Sequence, residues 1–107
     1  FLATKVSFCN EFYRFCEKKN MNYDTIVDIA AEDNRIGKSH INVPGPDKHF
    51  GFGGTCFPKD MNNLCYQMKQ LKDCEPKVIE ACIQRNNTID RPSKDWNNNK
   101  GRAVIDK

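Results

Sequence analysis

The sequence predicts an all-α fold, a small bundle of about four helices, and three observations carry that prediction. Apolar residues recur at three- and four-residue steps in four separate stretches. No stretch alternates apolar and polar residues in the two-residue rhythm of a half-buried strand. Five glycines and two prolines gather between the second and third periodic stretches, where they mark a loop.

The first stretch, residues 1 to 19, reads as one helix. Leu2, Val6, Cys9, Phe12 or Tyr13, and Cys16 form its apolar face. Phe8 and Phe15 widen that stripe, so the helix is expected to pack on two sides, against its own domain and against something else. Glu17-Lys18-Lys19-Asn20 closes it with the basic residues that a helix C-terminus favours. Asn22 is a good N-cap for a second helix, and Met21 and Ile26 have the spacing of a hydrophobic staple around it. Its face, Ile26, Ile29 and Ala30, runs to about Ala31. From Asp33 to Thr55 the periodicity disappears. A loop of that length inside a compact domain is uncommon and usually functional.

A third helix is expected from about Pro58 to Leu71, with Met61, Leu64, Cys65, Met68 and Leu71 on one face. A fourth should begin with Pro76 in its first turn, bury Val78, Ile79, Cys82 and Ile83, and fade near Asn86-Asn87. This divides the chain into a central helical domain over residues 1–90 and an irregular tail over 91–107, with Trp96 as the tail's packing anchor.

With 107 residues, 38% of them hydrophobic, the chain has material for one domain with a modest core, marginally stable alone. Phe1 opens directly into helical pattern, which suggests a piece of a longer protein. The net charge of +3 comes from 17 basic and 14 acidic residues spread along the chain, unlike the clustered basic surface of a nucleic-acid binder. No apolar run approaches the roughly 20 residues that span a bilayer, so no membrane contact is expected, and the N-terminus lacks the order of a signal peptide. None of the six cysteines (9, 16, 56, 65, 74 and 82) forms Cys-x-x-Cys, which argues against a zinc ribbon or a thioredoxin-like pair. Cys9, Cys16, Cys65 and Cys82 fall on apolar faces, where a reduced cysteine acts as a small hydrophobe, and a reducing cytoplasm is expected. The even count leaves a disulfide-stapled secreted domain as the rival, to be decided by thiol titration.

The stretch richest in chemistry is Gly51-Phe52-Gly53-Gly54-Thr55-Cys56-Phe57-Pro58-Lys59-Asp60. Three glycines in four positions admit close backbone approach or positive φ. Cys56 follows at the start of the third helix, where free N–H groups offer positive potential to an anionic sulfur. Lys59 and Asp60 lie three and four residues on, so one helical turn gathers a nucleophile, a cation and a carboxylate. The plainer alternative is a glycine turn before a helix, with a buried cysteine and a capping Asp. A phosphate-binding P-loop is excluded, since no Gly-Lys-Ser/Thr follows.

The whole string resembles the active-site motif of the UDP-glucose/GDP-mannose dehydrogenase family, in which the cysteine is the nucleophile. Phe1-Leu2-Ala3-Thr4-Lys5-Val6-Ser7-Phe8-Cys9-Asn10-Glu11 is similar to that family's long central helix, and Asp33-Asn34-Arg35-Ile36-Gly37 to its Asp-x-Arg-Ile-Gly turn. Order and spacing match over residues 1 to about 90. Arg91 to Trp96 and Lys100 to Val104 are more loosely similar to some bacterial-type members. The resemblance implies a four-electron oxidation, in which the C6 alcohol of a UDP-sugar such as UDP-glucose becomes a carboxylate at the expense of two NAD molecules. It implies that Cys56 carries first a thiohemiacetal and then a thioester, and that Asp60 positions or activates the hydrolytic water. Phe52 and Gly53 would line the sugar-nucleotide site, with Asn42 as a further substrate contact. Cys56, Phe57, Pro58 and Lys59 would lie beside the nicotinamide, and Arg35 would reach a neighbouring subunit's substrate site. The long helix would form a homodimer interface.

The sequence also departs from that family. Neither the Rossmann domain that mainly binds NAD nor the C-terminal domain fits in this length, and no Gly-x-Gly-x-x-Gly follows a strand. The family's assisting lysine and asparagine would precede Phe1, and the loop from Val43 to Phe50 is longer than in the shortest members. The chain alone is therefore expected to be inactive. The rival reading is a homodimerisation module without catalysis, and ultracentrifugation tests for its dimer. Arg35 read blandly is a solvated arginine. No ligand spacing makes a metal site of His40 and His49, so they read as surface histidines.

Overall fold

The computed structural model describes residues 1–98, in which α1 (Leu2–Lys18), α2 (Tyr23–Ala30), α3 (Phe57–Lys69) and α4 (Lys77–Arg85) form an all-α bundle. A π-helical turn, Asn86–Asp90, extends α4, and a 3-10 turn covers Asp95–Asn98. Among the described residues there is no strand.

α1 organises the molecule by burying two patches along its length. Cys9 and Cys16 pack with Tyr23 and Val27 of α2, with Ala31, and with Ile41 and Val43 of the loop. Nearer its start, Ala3 and Val6 meet Phe52, Phe57 and Met61, and Ile79, Cys82 and Ile83 of α4. One helix therefore braces both ends of the irregular stretch. The wide stripe is covered on one side: Phe8 and Phe15 remain 67% and 50% exposed. α2 starts as its sequence specifies, with the Asn22 side chain accepting from the Thr25 N–H at 3.1 Å. The Tyr23 hydroxyl donates to the Ile41 carbonyl and ties the loop to α2.

The loop between α2 and α3 has no helix or strand, as expected, but is held by specific bonds. The Lys5 ammonium donates to the Ile36 carbonyl at 2.7 Å, and a turn closes through Lys48 N–H to the Gly45 carbonyl at 2.9 Å.

Three boundaries differ from the sequence expectation. α3 begins at Phe57 and ends at Lys69, because the amides of Gln70 and Leu71 turn to carbonyls three residues back and tighten the last turn. Pro76 caps α4 from outside rather than occupying its first turn. α4 does not fade at Asn86-Asn87, since the π-helical turn carries it to Asp90. The polar side chains of Asn86 and Asp90 face inward there and find partners, so the chain gains by staying wound. Trp96 is 6% exposed and borders a small cleft with Phe52, Pro58 and Met61. Lys100 to Val104 lie outside the described residues.

Candidate active site

The glycine-rich stretch is fixed by side chains from distant parts of the chain. The Gly51 N–H donates to Asn10 Oδ1 of α1 at 3.0 Å. Asn86 pairs with both peptide groups of Phe52, accepting from its N–H at 2.8 Å and donating to its carbonyl at 2.9 Å. Arg91 Nε donates to the Phe50 carbonyl at 2.8 Å. The glycines make room for these groups. Gly51 has φ +69°, and a Cβ there would stand 2.2 Å from Asn86 Oδ1. A Cβ on Gly53 would stand 1.9 Å from Arg91 Nη1. The sequence predicts close backbone approach or positive φ for these glycines; Gly51 and Gly54 have positive φ, and at Gly51 and Gly53 the close approach is by the protein's own clamps.

Behind the clamps lies a buried ion pair. Arg85 Nε donates to Asp90 Oδ2 at 3.0 Å, and its Nη1 reaches Glu11 at 3.3 Å. Burial pushes the Asp90 carboxyl above its usual range, and the adjacent Arg85 guanidinium opposes that shift.

The clamped loop forms one wall of an open cavity of about 390 Å³. Gly45, Pro46, Asp47, Gly51, Phe52 and Gly53 supply that wall; Ser39, His40 and Asn42 from earlier in the loop, Val6 of α1, Phe57 of α3 and Arg91 complete the lining. Phe57 stands edge-on to Phe52 with centroids 6.4 Å apart, and the His40 ring lies 5.8 Å from Phe57. The cavity thus offers aromatic surface for a ring or sugar face and hydrogen-bonding groups at its edge.

Of the residues singled out from sequence, Asn42, Phe52, Gly53 and Phe57 come together on this cavity. Cys56 is the exposed N-cap of α3, next in sequence to Phe57, with Thr55 Oγ1 3.6 Å from its sulfur. Asp60 lies one turn on, its N–H bonded to the Cys56 carbonyl at 2.8 Å. Its carboxylate is 3.8 Å from Lys59 Nζ, and both side chains are open to solvent. Among the described residues no hydrogen bond joins the Asp60 carboxylate to the Cys56 sulfur. Pro58 is buried.

Arg35 is away from the cavity. Its side chain is 90% exposed and forks onto Asp33, with Nη2 2.6 Å from Oδ2. Those hydrogen bonds hold the Asp33 carboxyl below the usual carboxylate range and raise Arg35 further. Among the described residues, no group of three His, Cys, Asp or Glu is gathered closely enough to hold a metal ion. None of the six cysteines forms a disulfide. No helix of the described residues is long and apolar enough to cross a membrane.

Asn10, Asn86, Asp90 and Arg91 were missed at the sequence level. A signal existed for three of them: Asn10 falls on the buried side of α1, and Asn86 and Asp90 continue the three- and four-residue steps of Ile79, Cys82 and Ile83. A polar residue in phase with an apolar face is a candidate for a buried hydrogen bond. Arg91 had no such pattern.

The family model described as "UDP-glucose/GDP-mannose dehydrogenase family, central domain" matches residues 1–88. The chain is 40% identical over 88 residues to a UDP-glucose 6-dehydrogenase of Streptococcus pneumoniae, covering 82% of this chain and 20% of that protein. It is 42% identical over 96 residues to one from Rickettsia prowazekii (strain Madrid E), covering 87% and 20% respectively. It is 37% identical over 86 residues to UDP-glucose 6-dehydrogenase TuaD of Bacillus subtilis (strain 168), covering 80% and 17%. The chain thus spans about a fifth of the length of these relatives. No solved structure matches it.

Proposed function

The chain belongs to the UDP-glucose/GDP-mannose dehydrogenase family, as its central domain, and from that premise we propose that it is the central part of an NAD-dependent UDP-sugar 6-dehydrogenase, acting on UDP-glucose. Its contribution is the nucleophile, Cys56, and the wall against which the sugar nucleotide lies. The observation that carries this reading is an exposed sulfur at the N-terminus of a helix whose first residue, Phe57, lines an open aromatic cavity of about 390 Å³.

In this mechanism Phe52, Gly53 and Asn42 hold the sugar nucleotide, with its C6 directed to the start of α3. Loss of a hydride from C6 and of its hydroxyl proton turns the alcohol into an aldehyde. The sulfur of Cys56 then attacks that carbon, a carbon–sulfur bond forms as the carbonyl π bond opens, and the oxygen takes up a proton to give a thiohemiacetal. Oxidation of that adduct leaves a thioester on Cys56. Asp60, open to solvent and one helical turn from the sulfur, takes a proton from the incoming water. The water oxygen bonds to the thioester carbon, the carbon–sulfur bond breaks, and the acid leaves with the thiol restored. Hydride acceptance, twice, is what NAD supplies when bound. The residues present fit a nicotinamide at this end of α3, since Cys56 and Lys59 are exposed and the Phe57 ring is only partly covered. Pro58, buried behind them, holds the backbone of that turn. The dinucleotide-binding domain is a separate part of such an enzyme. Arg35 is free to extend toward a neighbouring subunit once its exposed pairing with Asp33 is given up, at little cost for a surface ion pair. A reducing cytoplasm is the setting that keeps Cys56 and the four buried thiols reduced.

The test is Cys56→Ser in the full-length enzyme. Production of the acid should fall by about three orders of magnitude or more with an unchanged thermal melt. Near-normal acid production would remove Cys56 from the chemistry. A second reading, a homodimerisation module, rests on a different observation: the exposed Phe8 borders a groove between α1 and α4 that also exposes Val78 and Ile89. The two are compatible, because the groove and the cavity are lined by different residues.

A further inference from the structure

We infer that Arg91, which lies outside the cysteine motif, is a positioning residue that sets the substrate wall of the cavity. Its side chain is 3% exposed, and it ends in a fork shared among four partners. Nε donates to the Phe50 carbonyl at 2.8 Å. Nη2 donates to Asp47 Oδ2 at 2.8 Å and to the Gly51 carbonyl at 3.4 Å. Nη1 reaches Asp95 Oδ1 at 3.4 Å. Two carboxylates neutralise the buried cation, and two main-chain carbonyls fix where the loop runs. Three of the four partners fall on residues 47 to 51, which overlap the longer loop stretch from Val43 to Phe50, and two of them are the carbonyls of the residues just ahead of Phe52.

The absence of a side chain at Gly53 points the same way. The space a Cβ would take there is already filled by the Arg91 guanidinium, 1.9 Å from the ideal position. Arg91 thus borders the cavity itself and packs directly against the loop that lines it. Only a planar guanidinium can bond Phe50, Gly51, Asp47 and Asp95 from one centre; a lysine offers a single point charge. The inference rests on the proposed reading of the cavity as the sugar-nucleotide site. Removal of the fork should let Gly45 to Gly53 drift, which weakens substrate binding more than it alters the sulfur chemistry.

The experiment uses the full-length enzyme and steady-state kinetics with UDP-glucose and NAD. Arg91→Met should raise the KM for UDP-glucose by about tenfold or more, with the KM for NAD within about twofold. Asp47→Asn, at a half-exposed position, should raise the same KM by a smaller factor, about threefold, and add little in the Arg91→Met background, since both act through one joint. A role confined to fold stability would lower the amount of active enzyme, and hence kcat, at unchanged KM; that result overturns the inference. Where Arg91→Met fails to fold, Arg91→Lys and Asp47→Asn decide it: a raised KM for UDP-glucose in both supports the role, and an unchanged KM in either overturns it. A wild-type enzyme that does not oxidise UDP-glucose overturns the functional reading itself and this role with it, whereas an active wild type with an unmoved KM in the variants overturns the role of Arg91 alone.

Discussion

Tyr23 shows how one buried residue links loop, core and pH. It is 4% exposed, packs edge-on against Tyr13 with centroids 5.5 Å apart, and donates to the Ile41 carbonyl. Burial, and then its hydrogen bond with Cys9, push its phenol far above the ordinary value of 10.0. The folded chain therefore keeps a proton that the unfolded chain releases. Its contribution to stability is complete below about pH 10 and declines as pH rises beyond it. Tyr23→Phe should cost about 1 kcal/mol at neutral pH, because the Ile41 carbonyl loses its donor. It should also flatten the decline of stability between about pH 9.5 and 11. Urea denaturation across that range checks both effects, and an undiminished alkaline slope in the variant would assign it to other groups. Cys56 sits at the other extreme, exposed where four other cysteines are buried. Burial among aliphatic side chains would have excluded it from any reaction, and the plainer reading of a buried cysteine does not hold.

At the scale of elements, helix starts are local and helix ends are not. The α2 cap is a contact between Asn22 and the N–H three residues on, so it was legible from Asn22 alone. Asn22→Ala should destabilise the domain by about 1 kcal/mol, lowering the melting temperature by about 5 °C, with the KM for substrate unchanged because no residue of α2 lines the cavity. Asn22→Ser should recover most of the loss, and thermal melts of the three proteins measure it. The π-helical turn is the opposite case. Asn86-Asn87 reads as a poor place to continue a helix, yet the turn places Asn86 against Phe52 and Asp90 against Arg85. Its stability comes from residues 34 positions away in the case of Phe52, which no local pattern records. A π-helical turn inside a helix frequently marks a functional site; here it is the element that grips the loop ahead of Cys56.

For the whole molecule, α1 is half covered. One side is buried in both hydrophobic clusters, while Phe8, Phe15 and Leu2 stand 67%, 50% and 41% exposed. Phe8 continues into the groove with Val78 and Ile89. Exposed apolar side chains in one stripe on a small domain are a liability unless a partner covers them, and the proposed homodimer would cover them through a two-fold contact of α1 with its equivalent. The expected outcome is a dimer at micromolar concentration, shifted to monomer by Phe8→Glu with an unchanged circular dichroism spectrum. Sedimentation analysis of the two proteins reads the difference, and a monomeric parent would leave α1 as a surface helix.

The amino-acid sequence by itself determined four helices, the loop between the second and third, the exposed wide stripe of α1 and the order of the motif around Cys56, because each is written in spacings of three or four residues or in adjacent positions. It also carried the family resemblance, for the same reason. The tertiary structure decided what the glycines are for, why α4 continues past Asn86, and that Asn10, Asn86 and Arg91 hold the loop from α1, from the turn after α4 and from beyond it. It also decided that Arg35 rests on Asp33 rather than beside the cavity. Those facts depend on hydrogen bonds between residues up to 44 positions apart. A buried polar group is stable only where the fold delivers its partner, and the periodicity of a chain does not say where that partner will be.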